Sequence, residues 1–390
     1  MGAPRGERIS GAQTREAENM SQTFVEYPNR FEAAGLGAEA VSARIRAAFD
    51  TIFFDPREKF YHDVDADSGC MEDTGNHDAR TEGMSYGMMM CVQMDRQDLF
   101  DRLWRFSKRY MLLREGPNAG YFAWSVQLNG VHNAEGPAPD GEEYFAMALF
   151  MAHGRWGSGG AFDYLSDARA ILRHCLHQTD LTGGQPMWNL DNKLIKFVPG
   201  MEISDPSYHL PHFYTLFAQR ADEGDRPFWL QAAAASRAYI AKSAHPETGL
   251  SAEYAAYDAS PVLLFHKPWP WYSDAYRVMM NIGLDSLWFG KNPAFEAVAQ
   301  HVQRFLRTQL PEENYRACML DGTRSDEPAM HPTAITACCA ASVLAGESEY
   351  AADWLKRFAA LPLRKGNRRY YDNCLYFFCL LMLGGQYKIY

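Results

Sequence analysis

Positive charge is scarce in this sequence of 390 residues, which has 38 Lys and Arg against 48 Asp and Glu and a formal net charge of −10. A protein whose main partner is nucleic acid needs a basic surface to neutralise phosphates, so we expect no nucleic-acid partner. Long apolar runs are also missing, because the most apolar stretch, residues 375–383, is far too short to cross a bilayer. We therefore expect no membrane partner.

Motifs of several enzyme classes are absent as well. The sequence has no GxSxG, no glycine-rich phosphate loop and no CxxC pair. Its eight cysteines lie mostly in apolar helical stretches, which predicts reduced, buried thiols and a cytoplasmic protein. His209 and His212 have a spacing that zinc ligands can adopt, but no third ligand is evident. We expect no metal and no cofactor.

The N-terminal stretch lacks the apolar segment of a secretion signal. Its polar composition predicts a flexible tail over residues 1–20. The remaining residues, 21–390, suffice for one large domain with a sizeable core. We therefore expect a single domain and no secretion signal, and the oligomeric state, monomer or dimer, stays open.

Helical periodicity dominates the sequence, with about twelve segments of two alternating kinds. One kind is amphipathic, such as AEAVSARIRAAFDTIF, and the other is apolar nearly all round, such as EGMSYGMMMCVQ. Amphipathic helices cover a core and apolar helices lie inside it, and the loops that lead into the apolar helices are mostly long. The pattern predicts an all-α (α/α)6 barrel of six helical hairpins with an inner and an outer ring. An open solenoid of hairpins is the alternative, although no sequence repeat supports it.

Acids stand at the start of four predicted inner helices. Helix N-termini carry partial positive charge, and in this barrel they would open onto one cavity beneath the long loops. The four acids are Glu82 in ARTEGMS, Asp140 in APDGEEYF, Asp205 in ISDPSYHLP and Asp274 in WYSDAYRV.

Two of these acids also have a purely structural interpretation. Asp140 and Glu143 have the spacing of a capping box, and Asp205 precedes Pro206 as an N-cap residue precedes a proline at the first helical position. Each could be a helix cap and nothing more.

Glu82 and Asp274 are harder to explain as caps. Thr81 and Ser273 stand directly before them and are better N-cap residues. Arg277 follows Asp274 by one helical turn and is a candidate ion partner. The placement favours a functional role for Glu82 and Asp274.

Aromatic side chains accompany the acids in the long loops. Two carboxyl groups that face one cleft are what glycoside hydrolysis requires, because one protonates the leaving oxygen while the other activates water or attacks the sugar. Flat rings can stack on sugars, although each could also be core packing. The loop tryptophans are Trp124, Trp188, Trp269 and Trp271.

At these residues the sequence resembles glycoside hydrolase family 8, and within it the reducing-end xylose-releasing exo-oligoxylanases. The matching stretches are DARTEGMSYGMMMCVQ, PAPDGEEYFAMALF, LIKFVPGMEISDPSYHLPHFY, YSDAYRVMMNIGLD and AMHPTAITA. They extend from about residue 25 to the C-terminus. The resemblance implies an (α/α)6 barrel, a xylo-oligosaccharide substrate and inversion of configuration at a β-1,4 linkage.

The resemblance also implies roles for individual residues. Glu82 matches the general acid, Asp274 the general base that activates water, and Asp140 the acid that binds and distorts the sugar ring at the cleavage site. Tyr208 matches a tyrosine beside the nucleophilic water. His331 matches a loop that closes the cleft beyond one reducing-end sugar, which would restrict the enzyme to releasing a single xylose.

Further residues are candidates for substrate contact. The segment of His331 reads Ala-Met-His-Pro, where the resemblance leads us to expect a leucine before the histidine. The other candidates for substrate contact are Arg80, Trp124, Trp188, Asp205, Trp271 and Arg277.

Three alternatives remain open at this point. The same chemistry could act on another polymer, as in an endo-acting β-1,4-glucanase, xylanase or chitosanase. An (α/α)6 sugar epimerase would need histidines as acid and base in the cleft, for which His77, His209, His212 and His331 are available. A sugar-binding protein without catalysis would keep the tryptophans but would not need Glu82 to face Asp274.

Overall fold

The computed structural model describes residues 25–265, 267–309 and 314–390, and the predicted tail over residues 1–20 lies outside them. This part of the chain contains twelve α-helices. They are α1 (Ala38–Phe53), α2 (Thr81–Gln93), α3 (Gln97–Phe106), α4 (Pro139–Trp156), α5 (Tyr164–Thr182), α6 (Pro211–Arg220), α7 (Arg226–Ser243), α8 (Arg277–Phe289), α9 (Pro293–Gln309), α10 (Pro332–Ala341), α11 (Ala351–Ala360) and α12 (Arg369–Leu383).

The two kinds of helix occupy two rings. In the odd-numbered α1, the buried residues Val41, Ile45, Phe49 and Ile52 recur every three or four positions, so one face packs inward. In the even-numbered α2, every residue except Glu82 is buried. Helix α12 is likewise buried along its length after the first residue. The even-numbered helices therefore form the inner ring, as the apolar segments predicted.

Contacts between helices show that the inner ring is closed. Helix α2 contacts α4, α4 contacts α6, and the series continues through α8 and α10 to α12, which contacts α2. Each inner helix also contacts an outer partner, and the sixth of these pairs joins α12 to α1. An open solenoid has free ends, so this alternative is wrong and the (α/α)6 barrel is confirmed.

Short antiparallel strand pairs tie the long loops together at one end of the barrel. Strand β3 (Ala79–Arg80) pairs with β4 (Ser125–Val126), which joins the loop before α2 to the loop before α4. Strand β5 (Ile203–Ser204) pairs with β6 (Ala255–Ala256) and does the same for the loops before α6 and α8. The other pairs are β1 (Tyr61–Asp63) with β2 (Gly69–Met71) and β7 (Arg316–Cys318) with β8 (Arg324–Pro328).

Prolines and short 3-10 turns define where the inner helices begin. Pro139, Pro211 and Pro332 occupy the first turns of α4, α6 and α10, where a missing N–H costs nothing. The apolar segment SYHLPHFYTLFA, residues 207–218, is not one continuous helix, because Pro206–Tyr208 is a separate 3-10 turn and α6 begins at Pro211. The residue before a proline is disfavoured in helical conformation, which explains the break.

Other turns complete the described chain. The 3-10 turn Asp274–Tyr276 leads directly into α8. The remaining ones are the 3-10 turns Arg30–Ala34, Glu223–Asp225 and Ser342–Leu344 and the π turn Ser107–Met111. None of the helices in the described residues combines the length and the apolar character that spanning a membrane requires.

Candidate active site

One cavity of about 680 Å³ opens among the long loops at the N-terminal ends of the inner helices. Its size lies in the range of small-molecule and substrate sites. Its ionisable lining residues are Asp73, Arg80, Glu82, Asp140, Lys267, Asp274, His331 and Arg368. Its aromatic lining residues are Trp124, Phe197, Tyr208, Tyr254, Phe265, Tyr272, Tyr370 and Tyr371.

Glu82 and Asp274 reach the cavity, but neither Thr81 nor Ser273 makes the side-chain capping bond that was used to single them out. Helix α2 has Arg80 as its N-cap residue and Thr81 inside its first turn, with no side-chain cap. The backbone N–H of Thr81 instead donates to the carbonyl oxygen of Trp124 at 3.0 Å. Ser273 is the N-cap residue of the turn that follows it, but its side chain makes no capping hydrogen bond. The N–H group of Thr81 at the start of α2 is thus satisfied by a carbonyl oxygen of a long loop. A local capping rule does not predict this bond.

The guanidinium of Arg277 joins the four predicted acids. Its Nη1 donates to Glu82 Oε2 at 3.1 Å and to Asp140 Oδ2 at 2.9 Å. Its Nη2 lies 3.7 Å from Asp274 Oδ2 and 4.0 Å from Asp205 Oδ2. Arg277 is buried at the first position of α8, beneath the cavity rather than in its lining. The structure therefore places it as the counter-ion of the acid cluster.

The approach of α2 to α4 brings Glu82 and Asp140 together. Gly141 makes this approach possible, because a Cβ atom there would lie 2.4 Å from the side chain of Thr81. Asp140 is buried in the first turn of α4, whose N-cap residue is Ala138. The capping-box interpretation of Asp140 is thus wrong, since the helix begins before it. Asp140 instead faces Arg277.

Burial and crowding of like charges perturb the acids. Desolvation raises the pKa of Glu82 to about 8, against the opposing effect of Arg277, and the nearby Asp140 and Asp274 add to the increase. Desolvation likewise raises the pKa of Asp140, which the Arg277 guanidinium partly offsets. A carboxyl group that stays protonated near neutral pH can donate a proton. Asp274 is the most exposed member of the cluster, with 26% of its side chain accessible, so water can approach it.

Asp205 behaves as the capping interpretation predicted. It is the N-cap of the turn Pro206–Tyr208, and its Oδ1 accepts from the backbone N–H of Ser207 at 2.7 Å. Its side chain is fully buried and does not line the cavity. Burial, with Asp274 nearby, raises its pKa well above the usual range. The structure therefore does not support the expected substrate contact of Asp205.

Tyr208 lies at the end of the same turn and lines the cavity. The guanidinium of Arg277 lies 5.3 Å from the centre of its ring, which is a cation–π distance. Tyr208 is thus held beside the acid cluster.

Trp124 and Arg80 form one side of the cavity. Trp124 is 38% exposed, and the Arg80 guanidinium lies 5.2 Å from its ring. Arg80 is fixed in turn by Asp78 Oδ1 at 3.0 Å and Asp73 Oδ2 at 3.2 Å. An exposed ring with a paired arginine against it is a platform on which a sugar can stack.

Trp188 and Trp271 do not line the cavity, so the expectation that they contact substrate is not met by the structure. Trp188 is 0% exposed and packs edge-on against Trp229, with ring centres 5.0 Å apart. Trp271 is buried against Tyr276 at 4.8 Å. Loop membership does not distinguish a tryptophan that faces a cavity from one that packs beneath a loop.

Met330 and His331 form another part of the lining. His331 Nδ1 lies 2.8 Å from Asp372 Oδ2, and the ring lies 4.6 Å from that of Tyr371. Asp372 Oδ1 also accepts from the backbone N–H of Ala334 at 2.8 Å. His331 is therefore fixed from both sides at the start of α10.

Several cavity residues were not singled out from the sequence, among them Tyr370, Tyr371, Lys267 and Arg368. Tyr370 donates through its hydroxyl to Glu82 Oε1 at 2.8 Å, and Tyr371 donates to the carbonyl oxygen of Ser273 at 3.2 Å. Both stand at the start of α12, so a search of inner-helix starts for tyrosines as well as acids would have found them. Lys267 and Arg368 carry no such local signal.

Among the residues that the structure describes, the histidines do not form the pair that a sugar epimerase needs. Within the described residues, His331 is the only histidine in the cavity lining. His209 and His212 are fully buried, and His77 is exposed beside Glu72. The described part of the chain contains no group of three candidate metal ligands.

A closed double ring of helices with carboxyl groups and aromatic rings at one mouth defines a class of carbohydrate-cleaving enzymes, and the comparisons with known proteins agree with it. The family model for glycosyl hydrolases family 8 matches residues 40–385. The chain belongs to glycosyl hydrolase family 8, and the predicted family membership is confirmed.

Several members of the family are similar over nearly their whole length. The reducing-end xylose-releasing exo-oligoxylanase Rex8A of Paenibacillus barcinonensis is 49% identical over 93% of this chain and 97% of its own. A reducing-end xylose-releasing exo-oligoxylanase of Halalkalibacterium halodurans is 49% identical over 93% of this chain and 94% of its own. The structure of Rex8A complexed with xylose superposes with a TM-score of 0.91 and covers 94% of this chain and 98% of that one.

Proposed function

We propose that this enzyme removes xylose from the reducing end of β-1,4-xylo-oligosaccharides of three or more sugars, with inversion at the anomeric carbon. The observation that carries the proposal is a family 8 acid cluster in a cavity whose lining includes a braced Met330–His331 segment. The two relatives named for this activity are each 49% identical to the chain over 93% of its length. We further propose that residues 21–390 act as one catalytic domain.

In this proposal Glu82 is the general acid and Asp274 the general base. Glu82 donates its proton to the glycosidic oxygen as the bond from that oxygen to C1 breaks. Asp274 takes a proton from water as the water oxygen bonds to C1 from the opposite face. Inversion requires room for this water, with the carboxyl groups roughly 6.5–9.5 Å apart. The raised pKa of Glu82, about 8, supports the role of acid.

Asp140 and Tyr208 act on the sugar and the water in this scheme. Asp140 accepts from a ring hydroxyl at the cleavage site and favours the distorted ring, because its contact strengthens as the transition state forms. Tyr208 holds the nucleophilic water near Asp274. Trp124 stacks on a sugar, with Arg80 beside it.

The Met330–His331 segment explains the release of a single sugar. If the cavity ends there after one reducing-end xylose, only the terminal bond can reach Glu82 and Asp274. The hydrogen bond from His331 to Asp372 keeps this barrier in place. Endo-acting relatives are more distant, such as endoglucanase 2 of Ruminiclostridium josui at 25% identity over 80% of this chain.

Product analysis of xylotriose by NMR tests the proposal. We expect xylose and xylobiose, with the newly formed anomeric centre of xylobiose appearing first as the α anomer. A bulky group on the reducing-end hydroxyl should stop cleavage, whereas the same group at the non-reducing end should matter little. Rapid viscosity loss on polymeric xylan would contradict the exo activity, and a first-formed β anomer would contradict inversion.

We also propose that the enzyme works in the cytoplasm on imported short oligosaccharides. All eight cysteines are free and buried, as is usual for proteins kept in a reducing compartment. Fractionation of the native host tests this location: activity in the cytoplasmic fraction is expected, and activity mainly in the culture medium would contradict it.

A further inference from the structure

Glu253 is a buried carboxyl group that the proposed mechanism does not use, although it lies next to the predicted base. It is 2% exposed, in the loop before α8. Its Oε1 accepts from Lys267 Nζ at 2.7 Å and from Ser273 Oγ at 3.1 Å. Its backbone N–H donates to the carbonyl oxygen of Pro270 at 2.7 Å. Glu253 therefore holds both the loop and the hydroxyl group that directly precede Asp274.

Ser273 is held from a second direction. Its carbonyl oxygen accepts from the hydroxyl of Tyr371 at 3.2 Å, while its own hydroxyl donates to Glu253. Ser273 makes no capping bond to the turn that follows, so its hydroxyl is committed to Glu253. Two hydrogen bonds from different parts of the chain thus orient the peptide unit that leads into Asp274.

We propose that Glu253 is a positioning residue for Asp274, acting through the hydroxyl of Ser273, with Lys267 as its counter-ion. The inference rests on the proposed function, because it takes Asp274 as the base. A hydrogen bond to a charged group is stronger and shorter than a neutral one, so an ionised Glu253 fixes Ser273 more firmly than an amide would. Burial and the nearby Asp274 raise the pKa of Glu253, and Lys267 opposes this.

The titratable and charged groups around Glu253 and Asp274 determine how a substitution at this place changes the pH dependence of the rate. The groups that face Glu253 are Lys267, Asp274, Tyr254, Tyr272 and Tyr276. The groups that face Asp274 are Arg277, Glu82, Asp140, Asp205, Glu253, Tyr208, Tyr254 and Tyr371.

Two substrates separate the base from the acid in the test. Xylotriose needs a proton donor for its leaving group, whereas β-xylobiosyl fluoride releases fluoride with little protonation and still needs an activated water. Ser273→Ala and Glu253→Gln should lower kcat about 10- to 100-fold on both substrates with little change in KM, because a misplaced base slows the chemical step. Ser273→Thr retains the hydroxyl and should restore most of the rate.

Charge distinguishes the two variants from each other. Glu253→Gln removes a negative charge beside Asp274 and leaves Lys267 unpaired, so the acidic limb of the kcat/KM profile should move to lower pH. Ser273→Ala changes no charge and should leave that limb in place. Ser260→Ala is the matched control, because Ser260 donates to Asp258 at 2.6 Å in the same loop, outside the cavity lining.

The outcomes separate this inference from the proposed function. Wild-type kcat in both variants on both substrates overturns the inference, provided that Asp274→Asn is inactive on both. A loss on xylotriose that disappears with the fluoride overturns it too, because the defect then concerns the acid. If Asp274→Asn keeps wild-type turnover, the assignment of the base fails first and the inference falls with it.

Discussion

Arg277 carries one positive charge among the four carboxyl groups of Glu82, Asp140, Asp205 and Asp274. One cation cannot balance four carboxylates in so small a cluster, which favours protonation of some of these groups near neutral pH. Burial falls hardest on Glu82, Asp140 and Asp205, whose pKa values are all raised. The cluster therefore combines carboxyl groups suited to donating a proton with Asp274, its most exposed member, where water can be activated.

The first prediction concerns the two reacting groups. Glu82→Gln and Asp274→Asn should each lower kcat on xylotriose by about three orders of magnitude or more, because each removes a proton-transfer step of general acid–base catalysis. Steady-state kinetics with circular dichroism measures rate and folding together. Glu135→Gln, an exposed neighbour of the cavity loops, is the control. Near-wild-type turnover in either variant would show that its residue has another role.

The second prediction is a pH shift from Tyr370. With the pKa of Glu82 at about 8, kcat/KM should fall as pH rises past that value, because the acid loses its proton. The Tyr370 hydroxyl stabilises the ionised carboxylate and so lowers its pKa. Tyr370→Phe should therefore move the alkaline limb to higher pH, by about one unit if the bond is worth the usual free energy.

A pH–rate series on both proteins measures this shift. Tyr110→Phe is a matched control, because its hydroxyl also faces a carboxylate, Asp65, but at 3.4 Å and away from the cavity. An alkaline limb that stays in place, or moves to lower pH, would be incompatible with the assignment of Glu82 as the acid.

At the scale of secondary-structure elements, the starts of the inner helices are set by the loops around them. Strands β3 and β4 join the loops that lead into the helices of Glu82 and Asp140, and the 3-10 turn before α8 carries Asp274. None of these three acids makes the helix cap that a local rule would assign, and only Asp205 does. The loops thus free the other three acids to face Arg277 and the cavity.

The third prediction belongs to helix α2. Gly83 lies so close to Tyr370 that a Cβ atom there would meet its ring and hydroxyl at 2.6 Å. Gly83→Ala should push Tyr370 away from Glu82 and cost about 1–3 kcal/mol of unfolding free energy, as overpacking in a core does. Urea unfolding with a pH–rate profile measures both effects. Gly159→Ala, where a Cβ atom would meet nothing within 4 Å, is the control.

At the scale of the whole molecule, closure of the inner ring brings residues from all parts of the chain to one cavity. Glu82 and Arg277 are 195 residues apart in sequence, and Glu82 and Tyr370 are 288 apart. A closed ring has no free end, so the contact of α12 with α2 keeps the starts of these two helices together beneath the cavity. His331 lies at the start of α10 in the same ring. The shape of the cleft is therefore a property of the ring as a whole.

The fourth prediction tests that shape at the barrier. His331→Ala should open the cavity beyond the first reducing-end sugar, so that longer oligosaccharides yield products larger than xylose. Chromatography of the products from xylohexaose measures this change. Xylose as the sole small product in the variant would mean that the barrier lies elsewhere in the lining.

A good part of the site could be predicted from the sequence. Glu82, Asp274 and Asp140 were singled out by their placement at inner-helix starts, and all three lie together around Arg277. Trp188 was chosen by the same loop criterion as Trp124, yet only Trp124 faces the cavity. Both residues satisfy the criterion because it considers only which residues a loop contains. The composition of a loop carries no information about which of its side chains pack inward.

The sequence by itself determined most of the helices and their division into two rings, because helical periodicity is local and each apolar segment reports its own burial. The family followed from the resemblance carried by motifs such as RTEGMSYG and YSDAYR. Only the tertiary structure decided that the ring closes, that Tyr370 donates to Glu82 and that Glu253 and Lys267 lie behind Ser273. These contacts join loops and helices far apart in the chain. No periodicity encodes such pairings, since they arise only when the folded barrel brings its loops to one end.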